Sequence, residues 1–450
     1  MRKLFGTDGI RGQANRFPVT PEIALQVGKA MAHVFHAAGH GSKRVVIGKD
    51  TRLSGYMLET ALTSGLVSMG MDVFLVGPIP TPGVAHLTRS MNATVGIMLT
   101  ASHNPFDDNG IKIFDANGYK LSDEIEGQIE KLVISQEIGS EHIRSDNLGK
   151  AFRIDDARGR YIEFAKSTIS NQSLTGLKIV LDCANGASYL IGPWIFKELG
   201  ADVIKVAAAP DGYNINNGCG ALYPEHISAL VQEHHADVGI AFDGDADRVL
   251  FCDADGTPVD GDRILAMCAL DFKQRDKLAR DTLVVTTMSN LGLHDAMRAN
   301  GIRTVTTKVG DRYVIERMRS EGYNLGGEKA GHLVFMDYVT TGDGIISALQ
   351  VLKLMQQSGK PLSDLAACMD EYPQKLVSVE VREKKPLGEL VETSRAIREC
   401  EEALGSRGRV IVRYSGTEPK IRLLVEAGDE GTVDTWMVRL TEVVEEEIGA

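Results

Sequence analysis

Short apolar runs alternate with segments of helical periodicity along most of this chain. Residues 44–48, 71–76 and 93–99 form such runs, and residues 54–66 carry an apolar side chain every three or four positions, with Ser54 as the predicted N-cap. Mostly apolar strands that alternate with helices are typical of parallel sheets covered by helices. Such sheets bind ligands at the carboxyl ends of their strands. The pattern therefore predicts an α/β fold whose functional residues lie in loops that follow strands.

Length and the change of pattern along the chain predict four domains. At about 150 residues per domain, the 450 residues of the chain suggest about three domains. The α/β pattern restarts after a polar stretch at 135–150 and again near Gly261, and past Tyr372 it changes to a smaller α+β pattern. We therefore predict three α/β domains with mixed sheets and a smaller C-terminal α+β domain: residues 1–150, 151–255, 256–370 and 371–450.

Charge and hydropathy exclude several classes of protein. The 49 Lys and Arg residues against 61 Asp and Glu residues give a net charge of −12 without a long run of one sign, which disfavours a nucleic-acid-binding face. No segment approaches about 18 consecutive apolar residues, and the N-terminus lacks the apolar stretch of a signal peptide. The six cysteines are widely spaced and include no C-x-x-C pair, as in a reducing compartment. We expect a cytoplasmic protein that binds neither nucleic acid nor a membrane.

Three aspartates follow one predicted strand and precede a returning one. Asp243, Asp245 and Asp247 stand at alternate positions, so that their carboxylates can converge on one hard cation such as Mg²⁺. An EF-hand loop is excluded, because Arg248 and Ala254 stand where that loop has Gly and Glu. The remaining alternative is a solvated acidic turn. Arg248 favours a site over a turn, since its guanidinium can hold an aspartate and meet a phosphate.

A serine lies on the loop after the predicted strand at 93–99, in the sequence T-A-S-H-N-P. Ser102 offers a hydroxyl beside His103, where a nucleophile or phosphoacceptor would be exposed. The alternative is ordinary turn chemistry, because serine before Asn-Pro is common in turns. A Ser-His hydrolase is disfavoured, since neighbouring side chains of an extended segment point to opposite sides and no G-x-S-x-G motif is present.

Further loops carry groups that suit a phosphate. In the C-terminal domain two arginines bracket a turn with two hydroxyls and a glycine, and this anion cradle competes with a plain hairpin as the interpretation. Its residues are Arg413, Ser415, Gly416, Thr417 and Arg422. Arg11 in a Gly-rich N-terminal loop and Lys112 after the serine loop are two more cations that can flank a phosphate, or else plain surface charges on turns.

Taken together and in this order, these motifs resemble the α-D-phosphohexomutase superfamily. The resemblance rests on residues 5–12, 100–105, 243–248, 328–332 and 413–419, and it covers all four predicted domains. It implies three related α/β domains and a smaller fourth around a central cleft. The first domain would carry the phosphoserine loop, the second the metal-binding loop, the third the sugar-recognition loop and the fourth the phosphate-binding loop.

The resemblance also implies a mechanism. Ser102 would carry a phosphoryl group and would complete, with the three aspartates, the coordination of one Mg²⁺ per subunit. This phosphoserine would donate to a sugar monophosphate, and a bisphosphate would reorient and return its other phosphate to the serine. Glucosamine or glucose 1,6-bisphosphate would act as activator and intermediate. The residues expected in catalysis are Ser102, Arg11, Lys112 and His103, and those expected in substrate binding are Arg248, Glu328, His332, Arg413, Ser415, Gly416, Thr417 and Arg422.

Within the superfamily, the opening at 5–12 and the junction at 371–374 look like the glucosamine branch. That resemblance implies interconversion of glucosamine 6-phosphate and glucosamine 1-phosphate, a step toward UDP-N-acetylglucosamine and cell-wall precursors, by a cytoplasmic enzyme. The alternative is a phosphomannomutase or phosphoglucomutase. The sequence leaves the oligomeric state open, with a homodimer as one alternative. Ala330 stands where the family usually has Ser, so one hydroxyl contact to the sugar would be lost. A non-catalytic phosphosugar-binding protein and a metal-dependent phosphatase are the rivals from other functional classes.

Overall fold

The computed structural model describes residues 4–6, 8–37, 42–135, 138, 143–415 and 419–450. The chain forms two compact units. The first unit comprises Met1–Met288 and Asn300–Cys368, and the second comprises Ser289–Ala299 and Met369–Ala450. No helix in the described ranges combines the length and the apolar character needed to cross a membrane.

The first sheet of unit 1 is mixed. Its seven strands within the described residues are ordered β1-β2-β6-β5-β3-β4-β7, and the neighbours β5-β3-β4-β7 run parallel while β1, β2 and β6 pair antiparallel. The strands are β1 Phe5–Gly6, β2 Gly9–Gln13, β3 Arg44–Lys49, β4 Asp72–Pro78, β5 Val95–Leu99, β6 Asp108–Phe114 and β7 Ala151–Arg153. The helices are α1 Pro21–Ala37, α2 Ser54–Ser68, α3 Thr81–Ser90 and α4 Asp123–Ser135. The predicted alternation of strands and helices is confirmed here.

The predicted N-cap of α2 is wrong. Leu53 occupies the cap position without a side-chain hydrogen bond to the helix. The Ser54 hydroxyl instead accepts a hydrogen bond of 2.8 Å from Asn109 Nδ2 of β6. The Ser54 hydroxyl oxygen, which the sequence pattern assigned to capping the helix, is therefore bound by a side chain of a distant strand.

The second sheet of unit 1 has the order β12-β11-β10-β8-β9, in which β10, β8 and β9 run parallel and β11 returns antiparallel to β10. Every residue of β10 is buried, as its continuous apolar sequence predicts. The strands are β8 Lys178–Asp182, β9 Asp202–Val206, β10 Val238–Phe242, β11 Val249–Asp253 and β12 Pro258–Val259. The helices are α5 Ala157–Ser167, α6 Ile191–Glu198 and α7 Pro224–His234.

The third sheet of unit 1 has the order β14-β13-β15-β16. Its last two strands form an antiparallel pair that carries the loop at 328–332. The strands are β13 Thr282–Thr286, β14 Arg303–Thr307, β15 Leu325–Gly327 and β16 Leu333–Phe335. The helices in this stretch of chain are α8 Gly261–Gln274, α9 Leu291–Ala299, α10 Asp311–Glu321, α11 Gly344–Ser358 and α12 Leu362–Ala366.

Unit 2 contains an antiparallel sheet of order β17-β19-β18 and helices, which agrees with the predicted α+β pattern. Its elements are β17 Gln374–Glu380, α13 Val391–Leu404, β18 Gly408–Tyr414, β19 Lys420–Ala427 and α14 Glu430–Ile448. Helix α9 groups with this unit although it lies between β13 and β14 in sequence. The buried Glu426 of β19 accepts a hydrogen bond of 2.7 Å from the amide of Leu291 at the start of α9. The four predicted domain boundaries stay a prediction.

Candidate active site

The serine loop, residues 100–107, joins β5 to β6. Ser102 is buried and its backbone is left-handed, with φ of +53°. Its hydroxyl donates a hydrogen bond of 2.6 Å to Asp243 Oδ2 and lies 3.4 Å from His103 Nδ1. The expectation that neighbouring side chains point to opposite sides is wrong at this position, because it assumed an extended backbone. The structure therefore brings the predicted phosphoacceptor onto the first of the three aspartates.

The aspartate loop, residues 243–248, joins the antiparallel strands β10 and β11, as predicted. Asp243, Asp245 and Asp247 are buried, and each offers an oxygen within 4.8 Å of the other two. The turn is closed by the amide of Ala246, which donates to the carbonyl of Asp243 at 3.0 Å. A solvated acidic turn is thereby excluded, because all three carboxylates are buried and buried carboxylates need compensating partners.

Two carboxylate oxygens of the aspartate loop indicate where a metal ion fits. Asp245 Oδ1 and Asp247 Oδ1 are buried and have no hydrogen-bond donor among the residues that the structure describes. Oxygen ligands from several carboxylates are the donor set that hard divalent cations prefer. Burial, followed by the charges of Asp247 and Asp245, raises the pKa of Asp243 well above its ordinary value. The converging carboxylate oxygens of the cluster therefore fit a divalent metal ion.

Lys112 of β6 supplies part of the compensating charge. Its ammonium is buried and lies 2.8 Å from Asp245 Oδ2, 3.0 Å from Asp247 Oδ2 and 3.5 Å from Asp8 Oδ2. Burial works against the charged form, but the carboxylates prevail and raise the pKa of Lys112 well above its ordinary value. Lys112 is therefore a protonated ammonium in this arrangement rather than a free base.

Arg11 and Arg248 bring two positive charges close to His103 of the serine loop. Arg11 is opposite Gly110 in the β2–β6 ladder, so its side chain shares a face with Lys112, and it pairs with Asp8. In both arginines Nε is buried without an acceptor in the described part of the chain. Burial, then the charges of Arg248 and Arg11, lowers the pKa of His103 to about 4. Arg248 Nε is nevertheless in ion-pair range of Asp247 Oδ1, at 4.0 Å. The two guanidinium groups and the neutral imidazole suit a group with a large negative charge.

The predicted sugar loop joins β15 to β16. Glu328 Oε1 accepts from the amide of Gly310 at 3.0 Å, and Ala330 is exposed at the tip. His332 is buried, where Nε2 accepts from the amide of Gly342 at 3.0 Å and Nδ1 lies 3.7 Å from Asp247 Oδ1. Burial opposes the imidazolium, but Asp247 and then other carboxylates raise the pKa of His332. His332 thus lies against the aspartate loop, and Glu328 and Ala330 lie at its more open side.

Unit 2 holds the predicted phosphate cradle, of which Gly416 and Thr417 lie outside the described residues. Arg413 of β18 and Arg422 of β19 are directly opposite each other in the antiparallel ladder. Like charges in that position destabilise a strand pair unless an anion joins them. Burial, then Arg422, lowers the pKa of Arg413. The Ser415 carbonyl accepts 2.6 Å from Lys384 Nζ, a further cation that the sequence motif did not include.

Several residues of the site were not found from the sequence. Thr81 of α3 donates from its hydroxyl to Asp245 Oδ2 at 2.5 Å, and the buried Arg52 and Asn216 bind the carbonyls of the serine loop. Lys120 joins Asp8 to Asp311 of α10. The only local signal was a charged K-D-T-R run at the carboxyl end of β3, a position where ligand-binding residues are expected.

Comparison with protein-family models identifies the family to which the domains belong. The four domain models described as phosphoglucomutase/phosphomannomutase, alpha/beta/alpha domains I, II and III and C-terminal domain, match residues 2–138, 159–256, 260–372 and 376–443. The chain belongs to the phosphoglucomutase/phosphomannomutase family. The resemblance seen in the motifs is confirmed, as is the fold of three α/β domains and a smaller C-terminal domain.

Relatives within the phosphoglucomutase/phosphomannomutase family are similar over their whole length. A protein named phosphoglucosamine mutase from Pelobacter propionicus is 55% identical over 450 residues, which cover 100% of this chain and 99% of that protein. A phosphoglucosamine mutase from Geobacter metallireducens is 53% identical and is covered completely.

Solved structures of the family have the same fold. A phosphoglucomutase/phosphomannomutase family protein from Burkholderia thailandensis has a TM-score of 0.83 at 25% identity, covering 99% of this chain and 97% of that one. N-acetylphosphoglucosamine mutase from Aspergillus fumigatus, solved with GlcNAc-6P and magnesium, has a TM-score of 0.66 at 18% identity, with 99% and 96% covered.

Proposed function

We propose that this chain is a phosphoglucosamine mutase, which interconverts glucosamine 6-phosphate and glucosamine 1-phosphate through a phosphoserine and a bisphosphate intermediate. The observation that carries the mechanism is the 2.6 Å hydrogen bond from Ser102 to Asp243, which joins a phosphoacceptor to a buried carboxylate cluster that can hold a metal ion. The substrate follows from the full-length similarity to proteins of that name.

Ser102 is the proposed carrier of the phosphoryl group. In the forward direction the bond between Ser102 Oγ and phosphorus breaks while the sugar hydroxyl forms a new bond to phosphorus, which gives the 1,6-bisphosphate. After the bisphosphate reorients in the site, Ser102 Oγ forms a bond to the phosphorus of its other phosphoryl group. The bond between that phosphorus and the sugar oxygen breaks, and the sugar monophosphate product leaves. The hydrogen bond to Asp243 aims the hydrogen of the serine at the aspartate and leaves the oxygen lone pairs toward the incoming phosphorus.

Arg11 and Arg248 are proposed to stabilise the charge on the transferred group. Their buried Nε donors have no protein acceptor in the described residues, and phosphoryl oxygens are acceptors of the right geometry. His103 stays neutral beside them because its pKa is lowered to about 4, so it can donate or accept one hydrogen bond without adding charge. Lys112 is proposed to hold and return the proton of the sugar hydroxyl once its carboxylate partners are otherwise neutralised.

Asp243, Asp245, Asp247 and the Ser102 oxygen would hold one Mg²⁺. When bound, this ion would act as a Lewis acid on the transferring phosphoryl group. With a second cation at Asp245 and Asp247, these carboxylates would stabilise the Lys112 ammonium less, and the pKa of Lys112 would fall.

The remaining predicted residues are proposed to bind the rest of the substrate. Arg413, Ser415 and Arg422, with Gly416 and Thr417, would hold the phosphate that is not reacting, a positioning role on which phosphoryl transfer depends. Glu328 and His332 would contact the amino sugar, and the His332 imidazole also lies 3.7 Å from Asp247 Oδ1. Because Ala330 lacks a hydroxyl, the sugar makes one contact fewer than in relatives with Ser at this position.

A coupled assay tests the proposal. Purified protein with Mg²⁺ and glucose 1,6-bisphosphate as activator is given glucosamine, glucose and mannose 6-phosphates in turn. We expect the highest kcat/KM for glucosamine phosphate, and a higher value for glucose or mannose phosphate would favour the alternative phosphoglucomutase or phosphomannomutase activity. Steady release of inorganic phosphate would instead indicate a phosphatase, and binding without turnover a phosphosugar-binding protein.

Two further parts of the proposal concern the setting of the enzyme. We expect it to work in the cytoplasm, where the six free cysteines remain reduced. We expect a homodimer, which light scattering of the purified protein would detect; a monomeric mass at micromolar concentration would contradict this.

A further inference from the structure

Arg52 is an arginine with no exposed surface, and its guanidinium lies directly under the serine loop. Nη2 donates to the carbonyls of Ser102, at 3.2 Å, and of Asn104, and Nε lies 3.4 Å from the carbonyl of Pro105. Nη1 pairs with Asp50, whose other oxygen accepts from the Arg52 amide at 2.9 Å. One planar guanidinium thus donates hydrogen bonds to three backbone carbonyls of a single turn.

Asn216 binds the same turn from the second sheet's side of unit 1. Its Nδ2 donates to the carbonyl of Ser102 at 2.9 Å and to that of Asn104 at 3.1 Å. Arg52 and Asn216 are 50 and 114 residues away from Ser102 in sequence, yet they converge on the same two oxygens. A turn held by two independent sets of donors has little freedom to relax.

The turn needs such support because Ser102 has a left-handed backbone. A residue other than glycine at a φ of +53° is uncommon, and this conformation is unfavourable unless the surroundings impose it. Gly244 of the aspartate loop adds a steric limit, since a Cβ there would lie 2.6 Å from the Ser102 carbonyl. If the turn relaxed toward an extended backbone, the Ser102 side chain would rotate away from Asp243.

We propose that Arg52, together with Asn216, is a positioning residue for phosphoryl transfer, which holds Ser102 in the conformation that aims Oγ at the aspartate loop. This proposal rests on the proposed mutase function. The role is geometric, because Asp50 already balances the charge of the guanidinium. Only a planar group with several donors meets three carbonyls at once. Lysine, which keeps the charge but has no fork, therefore cannot replace Arg52.

The test compares Arg52→Lys and Asn216→Ala with the intact enzyme. Arg312→Gln is the matched control, since Arg312 also pairs with a buried carboxylate, Glu126, and donates to a backbone carbonyl, that of Leu121, but does not contact the serine loop. Melting temperature, kcat and KM for glucosamine 6-phosphate are measured for each. The rate at which glucosamine 1,6-bisphosphate phosphorylates Ser102 is followed by intact mass.

We expect kcat and the phosphorylation rate to fall about 100-fold in Arg52→Lys and about tenfold in Asn216→Ala, with KM within threefold of the intact enzyme, because small misplacements of a reacting atom are costly. The control should keep kcat within twofold at a similar loss of melting temperature. Values of kcat within threefold of the intact enzyme in both Arg52→Lys and Asn216→Ala would overturn the proposed positioning role. If Arg52→Lys does not fold, Asn216→Ala alone decides. Failure of the proposed function looks different, since the intact enzyme would then show no mutase turnover.

Discussion

Replacing Lys112 by Met should destabilise unit 1 in a way that divalent metal reverses. The ammonium is 2% exposed and contacts Asp245 and Asp247 at 2.8 and 3.0 Å. Removal of one partner from a buried ion pair costs about 3–5 kcal/mol, because the carboxylates are left uncompensated. We therefore expect the free energy of unfolding in EDTA to fall by about that amount.

The structure also predicts how much of the lost free energy of unfolding a bound metal ion restores. A ligand that binds only the folded state at 100 times its Kd adds about 2.7 kcal/mol. In Lys112→Met the ion meets carboxylates that no ammonium neutralises, so Mg²⁺ should stabilise this variant more than the intact enzyme. Urea denaturation followed by fluorescence, with EDTA and with Mg²⁺, measures both quantities. Lys131→Met on the exposed face of α4 is the control and should change stability by no more than about 0.5 kcal/mol.

The reasoning would be refuted by a Lys112→Met variant as stable in EDTA as the intact protein. It would be refuted equally by a variant whose loss of stability is untouched by Mg²⁺, because the aspartate cluster would then not be the place where either cation acts.

The other predictions concern pH and substrate binding. Burial raises the pKa of Asp343 to about 7 from an ordinary 3.8, so between these values the folded state binds more protons than the unfolded state. The free energy of unfolding should therefore fall by about 4 kcal/mol as pH rises from about 4 to about 7. Urea titrations of Asp343→Asn should lack this pH dependence. His103 should titrate near pH 4 by NMR, and a value above 6 would contradict the effects of its burial and of the charges of Arg248 and Arg11. Arg413→Gln should raise KM at least tenfold, about the value of one charged hydrogen bond, with Ser102 still phosphorylated, whereas Arg398→Gln on the exposed side of α13 should not. Ala330→Ser should lower KM for glucosamine 6-phosphate by up to about tenfold with kcat unchanged, and an unchanged KM would remove the hydroxyl contact from the account.

Features that depend on neighbours in sequence were predictable. The continuous apolar runs predicted buried parallel strands, and the aspartate loop between β10 and β11 follows from one strand, a tight turn and its return. The alternate spacing of Asp243, Asp245 and Asp247 predicted that their oxygens can converge, but burial in the structure was needed to exclude a solvated turn.

Features that depend on distant partners were not predictable. The left-handed Ser102 is held by Asn216, 114 residues away, and Lys112 reaches Asp245 across 133 residues. Helix α9 groups with unit 2 because its amide at Leu291 meets Glu426, 135 residues later. No local sequence pattern encodes such pairs, because the two partners lie more than 100 residues apart and neither one indicates the other.

The most direct test of the account is the fate of the phosphoryl group on Ser102. Enzyme carrying a radiolabelled phosphoryl group at Ser102 is mixed with unlabelled glucosamine 6-phosphate in a single turnover, and the products are separated. The account predicts that the label passes to glucosamine 1,6-bisphosphate and glucosamine 1-phosphate, and that Ser102→Ala neither takes up label nor turns over. Release of the label as inorganic phosphate, or unchanged turnover by Ser102→Ala, would contradict it.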